Sequence, residues 1–261
     1  MIRVTIIGAG NMGGATAVGL LESGSVKAEN LTLTAKHMSS LERFAAMGVR
    51  TLVDNAEAVK GADIVILAVK PWIVPEVCRE IARVLDFGTQ QIVSMAPGVS
   101  PEDLLSFFPG HGRKPSLSYV IPNTAIEVGE SMTFVSGITS SDEQVEEIAG
   151  LFSGSGTVTV VPYRQLSAGT ALASCGIAYA FRYIRAAAEG GVELGFYAKD
   201  AVRIVAQTVK GAAELLEVHG SHPEQEIDKV TTPGGLTIRG LNAMEEAGFT
   251  TAVIKGLKGG R

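Results

Sequence analysis

The stretch from Val4 to Gly14 limits what this chain can become more than any other. Its first part, Val4-Thr5-Ile6-Ile7, is apolar and β-branched and suits a strand covered on both faces. Gly8-Ala9-Gly10-Asn11-Met12-Gly13 then reads Gly-x-Gly-x-x-Gly, and the helix formers Ala15, Ala17, Leu20 and Leu21 follow. A lone glycine pattern is weak evidence, but between a strand and a helix it points to a dinucleotide pyrophosphate. Gly8 permits the tight turn, Gly10 lets a phosphate approach the backbone, and Gly13 lets the helix pack on the strand. Asn11 and Met12 open that helix, whose free N–H groups favour an anion. An ordinary strand-to-helix turn is the bland alternative.

The first 162 residues continue in this style. Strands are expected at 31–34, 49–53, 64–69, 91–95, 116–121, 131–136 and 156–161. Helices are expected at 12–22, 40–47, 75–85, 101–108 and 142–152, with Ser100 as N-cap and Pro101 at the first helical position. This alternation predicts an α/β, doubly wound Rossmann-type domain over residues 1–162. After Pro162 no strand signal remains. Residues 163–191 are rich in Ala and Gly and apolar nearly all round, so a helix there must be buried on every side. Val202, Val205, Val209 and Leu216 keep helical period over 198–219. Residues 163–261 therefore read as an all-α domain.

The second strand bears on which dinucleotide is bound. An NAD-specific fold places an Asp or Glu near its end to accept the ribose 2′-hydroxyl. Here the strand closes on Thr34-Ala35-Lys36-His37, without a carboxylate. An acid would repel a 2′-phosphate, whereas Thr34 and Lys36 could hold one. NADP(H) is the expected cofactor, with NAD(H) possible. Ala68-Val69-Lys70-Pro71 ends the strand that begins at Ile64, where open sheets bind ligands. Lys70 is either a cofactor contact or simply the end of a strand.

Composition excludes several classes. The 261 residues carry a formal net charge of −5, which argues against a nucleic-acid surface. No apolar run approaches the ~18 residues of a membrane helix, and the first strand begins too early for a signal peptide. Cys78 and Cys175 have neither metal nor disulfide spacing, and both read as core residues of a cytoplasmic protein. No metal site is expected. The four histidines, His37, His111, His219 and His222, read as solvated or capping. Hydrophobic residues reach 46%, more than a lone monomer needs, which suggests a homodimer through the C-terminal helices.

A second informative stretch lies near the C-terminus: Val230-Thr231-Thr232-Pro233-Gly234-Gly235-Leu236-Thr237-Ile238-Arg239-Gly240-Leu241. Hydroxyls, a proline and paired glycines before a helix make an anion nest that could hold a substrate carboxylate. A plain loop and cap is the alternative, and Arg239 reads as surface.

In these stretches the chain resembles the pyrroline-5-carboxylate reductases, and the likeness extends along nearly its whole length. The signature is Val230 to Leu241, followed by Glu245-Glu246-Ala247-Gly248-Phe249. Ala68-Val69-Lys70-Pro71 and Pro122-Asn123-Thr124 match two further family elements. The resemblance implies reduction of the cyclic imine 1-pyrroline-5-carboxylate to L-proline by NADPH or NADH. It also implies a helical dimerisation domain, often assembled into a decamer. By the same carry-over Thr232, Gly234, Gly235 and Thr237 hold the substrate, with Thr237 bonding the ring nitrogen as the catalytic residue. Asn55 falls where the family contacts the cofactor, and Thr34 and Lys36 fall on its 2′-phosphate loop.

Two departures stand out. The family's Leu-Ser-Gly-Ser-Gly-Pro-Ala-Tyr is here Leu172-Ala173-Ser174-Cys175-Gly176-Ile177-Ala178-Tyr179, and Ile177 is expected to straighten or repack that helix. Tyr119 stands where many relatives carry a basic residue. These departures keep two alternatives open: an imine or ketone reductase with another substrate, and a non-catalytic NADP-binding dimer.

Overall fold

Continuous β-branched runs build the middle of an eight-stranded sheet. β1 (Val4–Ile7) lies between β2 (Leu31–Thr34) and β4 (Ile64–Leu67), parallel to both, with Ile6 opposite Leu33 and Ile66. Every residue of β1 and β4 is buried, as a strand covered on two faces requires. The remaining strands are β3 (Arg50–Leu52), β5 (Gln91–Ser94), β6 (Ser116–Ile121), β7 (Ser131–Gly137) and β8 (Gly156–Val160). Their order across the sheet is β3-β2-β1-β4-β5-β6-β7-β8, parallel throughout except between β6 and β7.

The helices of this part are α1 (Asn11–Glu22), α2 (Glu42–Ala46), α3 (Asn55–Ala58), α4 (Val74–Ala82), α5 (Pro101–Ser106), α6 (Asp142–Ser153) and α7 (Leu166–Gly169). Strand residues alternate between two cores. Ile6, Leu33, Ile66 and Val93 pack with Leu20, Phe44 and Phe152 on one face. Ile7, Leu67, Ile92 and Leu117 pack with Ile81, Leu104 and Tyr119 on the other. Ser100 caps α5 as the sequence indicates, its side chain accepting from the Asp103 N–H at 3.0 Å. Ser141 and Gln144 form a capping box at the start of α6. The short α3 and the 3₁₀ turns Pro71–Ile73 and Thr124–Val128 escape the sequence reading, because a single turn has no period to detect.

The computed structural model describes residues 2–108 and 114–260, so His111 falls outside it. The chain separates into two compact units, Met1–Ser174 and Cys175–Arg261. Strand signal stops at Pro162, but the first unit runs on for packing reasons. Leu166 joins the Tyr119 core, and a Cβ on Gly169 would stand 2.8 Å from the Phe134 ring.

The second unit is all helix: α8 (Gly176–Glu193), α9 (Ala198–His219), α10 (Pro223–Lys229), α11 (Leu236–Glu246) and α12 (Phe249–Gly259). Helices α8 and α9 meet where Gly191 faces Ala201, and a Cβ on the glycine would lie 3.1 Å from the alanine methyl. Tyr183 and Phe249 stack edge to face, and the Tyr179 hydroxyl donates to the Gly256 carbonyl at 3.2 Å. The expectation that residues 163–191 are buried all round fails for α8. Among the described residues of this unit only Ala188 and Ala201 are buried, while Phe181, Tyr183 and Leu194 are exposed. Apolar periodicity reports that a surface will be covered, not that the same chain covers it. No helix among the described residues is long and apolar enough to cross a membrane.

Candidate active site

Five parallel strands of the first unit, β2, β1, β4, β5 and β6, end on the same side of the sheet. The turns that follow enclose a cavity of about 740 Å³. The glycine turn forms its floor. Gly8 has φ +107°, which excludes ordinary side chains, and the N–H groups of Gly8 and Ala9 both donate to the Thr34 carbonyl, at 3.1 and 2.8 Å. A Cβ on Gly13 would collide with the Gly8 carbonyl and lie 2.9 Å from the Ala68 methyl. Gly10 differs: a Cβ there would meet nothing within 4 Å. Its missing side chain leaves space for something outside the chain.

Gly8, Gly10, Asn11 and Met12 line the cavity, and Gly13 stands behind them as the contact between helix and strand. Ala68, Val69, Lys70 and Pro71 line it from the end of β4, as their place in the sequence suggests. The lining contains Lys36 and Lys70 and no carboxylate. With the free N–H groups that open α1, that donor set suits a pyrophosphate. Vacant room above Gly10, two cations and no acid together fit a dinucleotide phosphate.

The β2 end departs from the sequence reading in one respect. Lys36 lines the cavity, but Thr34 is buried and its hydroxyl donates to Asn55 Oδ1 at 2.7 Å. Asn55 Nδ2 in turn donates to Glu80 Oε2 at 2.9 Å. Neither Thr34 nor Asn55 is in the lining; Ser40 takes the hydroxyl's place beside Lys36. Thr34 thus serves the glycine turn through its carbonyl and the β2–α3–α4 junction through its side chain. At the β5–β6 end, sequence reasoning missed Met95, Ile121, Thr124 and Ser174 as lining residues. The two motifs that contain Thr124 and Ser174, Pro122-Asn123-Thr124 and Leu172 to Tyr179, carried the signal there, without a role for either residue.

Two groups drop out as chemistry. Tyr119 is buried, its hydroxyl donates to the Val99 carbonyl at 2.7 Å, and burial raises its pKa. Cys78 is buried and its thiol is pushed up to about 12 by desolvation. Cys175 is only half-buried, unlike the core position expected of it.

In the second unit, Thr232-Pro233-Gly234-Gly235 forms a tight turn. The Gly235 N–H donates to the Thr232 carbonyl at 2.9 Å, and Gly234 has φ +70°. Proline then glycine with positive φ is the pattern of a type II turn. Gly235 is the N-cap of α11, and a Cβ on it would press on Thr232 Oγ1. Thr237 is the second residue of α11 and is exposed, as are Thr232 and Arg239. The free N–H groups of this first turn and the Thr237 hydroxyl share one helix end. His219 and His222 border α10: His219 pairs with Glu226, and His222 caps the helix through Nδ1.

Two family models match separate parts of the chain. Residues 164–260 match the family model described as pyrroline-5-carboxylate reductase dimerisation. Residues 3–98 match NADP oxidoreductase coenzyme F420-dependent. Pyrroline-5-carboxylate reductase 1 of Dictyostelium discoideum is 40% identical over 97% of this chain, which spans 48% of that protein's length. Pyrroline-5-carboxylate reductase 2 of the same organism is 36% identical, with 98% of this chain and 89% of the relative aligned. Among solved structures, the Plasmodium falciparum pyrroline carboxylate reductase with NADP bound superposes at a TM-score of 0.87. Its identity is 24%, covering 99% of this chain and 95% of that one, which bears on the fold.

Proposed function

The chain belongs to the pyrroline-5-carboxylate reductase family, and on that premise we propose that it reduces 1-pyrroline-5-carboxylate to L-proline with NADPH, closing proline biosynthesis. The observation that carries the substrate is the Thr232–Gly235 turn feeding α11, with Thr237 exposed in the helix's first turn. The cavity over the sheet would hold the dinucleotide, its pyrophosphate on Gly10, Asn11 and Met12 and its 2′-phosphate near Lys36 and Ser40. When bound, the reduced nicotinamide supplies the hydride that the imine carbon accepts.

The chain's own residues have a limited task. The Gly234 N–H and the free N–H groups at the start of α11 would bind the substrate carboxylate, while the Gly235 N–H closes the turn onto Thr232. The Thr237 hydroxyl would orient the ring nitrogen, which already carries its proton in the iminium form or takes one relayed from water. A protonated imine is electrophilic without a strong acid nearby, so an active site lacking a buried His or Glu suffices. Holding the reacting carbons in contact is worth up to ~7–11 kcal/mol. The reading includes assembly as a homodimer through the C-terminal helices, growth to a decamer and a cytoplasmic address, with the match of residues 164–260 to a dimerisation model supporting the assembly.

The test is oxidation of NADPH by the purified protein, dependent on pyrroline-5-carboxylate, with NADH run in parallel. Thr237→Ala should lower kcat/KM by about 100-fold, the scale of one positioned proton-handling group. No turnover of this imine, with turnover of another cyclic imine, would hand the site to a different substrate. Cofactor binding without any turnover would make it a non-catalytic binder. A clear advantage for NADH would overturn the part given to Lys36.

A further inference from the structure

The β5–β6 end of the cavity holds one side chain that the reaction above leaves unused. Thr170–Cys175 winds as a π-helix, a wide turn that proteins often place at functional sites. It carries Ser174 into the cavity wall beside Pro122, Thr124 and Met95. Ile177 follows this widened turn, in the first turn of α8. Ser174 Oγ lies 2.9 Å from the Pro122 carbonyl oxygen. That oxygen has no hydrogen, so the serine must donate its only one there. An oxygen with free lone pairs is left for the cavity, held in place by its own bond. It repels phosphate and carboxylate oxygens and matches an N–H donor.

In a sheet of this order the adenosine half of a dinucleotide lies over β1 to β3 and the nicotinamide half over β4 to β6. Ser174 thus stands at the nicotinamide end, where the ligand carries one strong N–H donor, the carboxamide. We propose that Ser174 is a further cofactor-binding residue, its Oγ accepting a hydrogen bond from the nicotinamide carboxamide while its proton is committed to Pro122. The Pro122 bond fixes the hydroxyl beforehand, so binding does not have to order it. This role rests on the cavity taking a dinucleotide.

Calorimetric titration of the full-length protein separates the possibilities. NADP⁺ is compared with its 3-acetylpyridine analogue, in which a methyl replaces the amide NH₂. Ser174→Ala should weaken NADP⁺ about five- to tenfold, the value of one hydrogen bond, and leave the analogue within about twofold. Ser174→Cys keeps the bulk with a weak acceptor and should lean the same way, covering an alanine variant that fails to fold. Equal losses for both ligands would make Ser174 a packing residue and overturn the proposal, as would no loss for either. Failure of the wild type to bind NADP⁺ would overturn the dinucleotide reading as well.

Discussion

Gly10 and Gly13 stand three residues apart in one motif, yet a methyl group means opposite things at each. At Gly13 it strikes the protein's own backbone, at the Gly8 carbonyl; at Gly10 it enters empty space. Gly13→Ala should therefore destabilise the fold by ~1–3 kcal/mol, the usual cost of overpacking. Gly10→Ala should melt like the wild type and lose at least about tenfold in NADPH affinity. Thermal melts and titrations check the pair, with emission from Trp72, the chain's one tryptophan, as the binding signal. Trp72 is exposed, between Pro71 and Ile73 of the cavity lining. A cold-stable Gly13→Ala protein with normal melting would refute the assignment of roles. These glycines were legible in the sequence because their spacing is itself the geometry of a turn. Thr34 was not. Its hydroxyl answers to Asn55 and Glu80, partners that strand pairing and two later helices bring to it. Ser40 and Ser174 were hidden for the same reason, since loops and a widened turn deliver them.

Elements divide by how much of their cause is local. The central strands and α9 follow from runs and periods within themselves, and β6 and α9 end where the sequence reading ends them. Short helices such as α3 exist because Asp54 caps them and the sheet holds their neighbours, which no period records. The junction of α9 and α10 is a local device with a pH signature. Lys229 foremost, then Ser221 and His219, bond Glu226 and hold its carboxyl at about 2 instead of near 4.5. A depressed carboxylate contributes stability above its unfolded pKa and loses it as pH falls through the folded one. Glu226→Gln should therefore melt lower than the wild type near neutral pH, with the gap closing between about pH 4.5 and 2. A gap that persists unchanged in acid would assign the loss to packing. The reversal of β7 against β6, by contrast, left no mark in the sequence. A strand's direction depends on where its connection leads, and the turn Thr124–Val128 is too short to announce it.

For the molecule as a whole, the cofactor half was legible and the use of the apolar surplus was only half so. Composition demanded a covered surface, and the described helices of the second unit leave Phe181, Tyr183, Leu194 and Leu236 bare. That is far more exposed apolar side chain than a lone monomer keeps. Light scattering on the eluted protein should give a mass of at least twice 27.2 kDa. A monomeric mass at micromolar concentration would refute it. The second unit, with two alanines as its only buried residues among those described, has too little interior to hold its helices alone. If a second copy completes that interior, the unit's order obeys mass action. Melting temperature should climb with protein concentration, and dilution should cost more activity than the fall in chain number accounts for. A cell could thus lose proline synthesis through scarcity of the chain before any chain is itself defective.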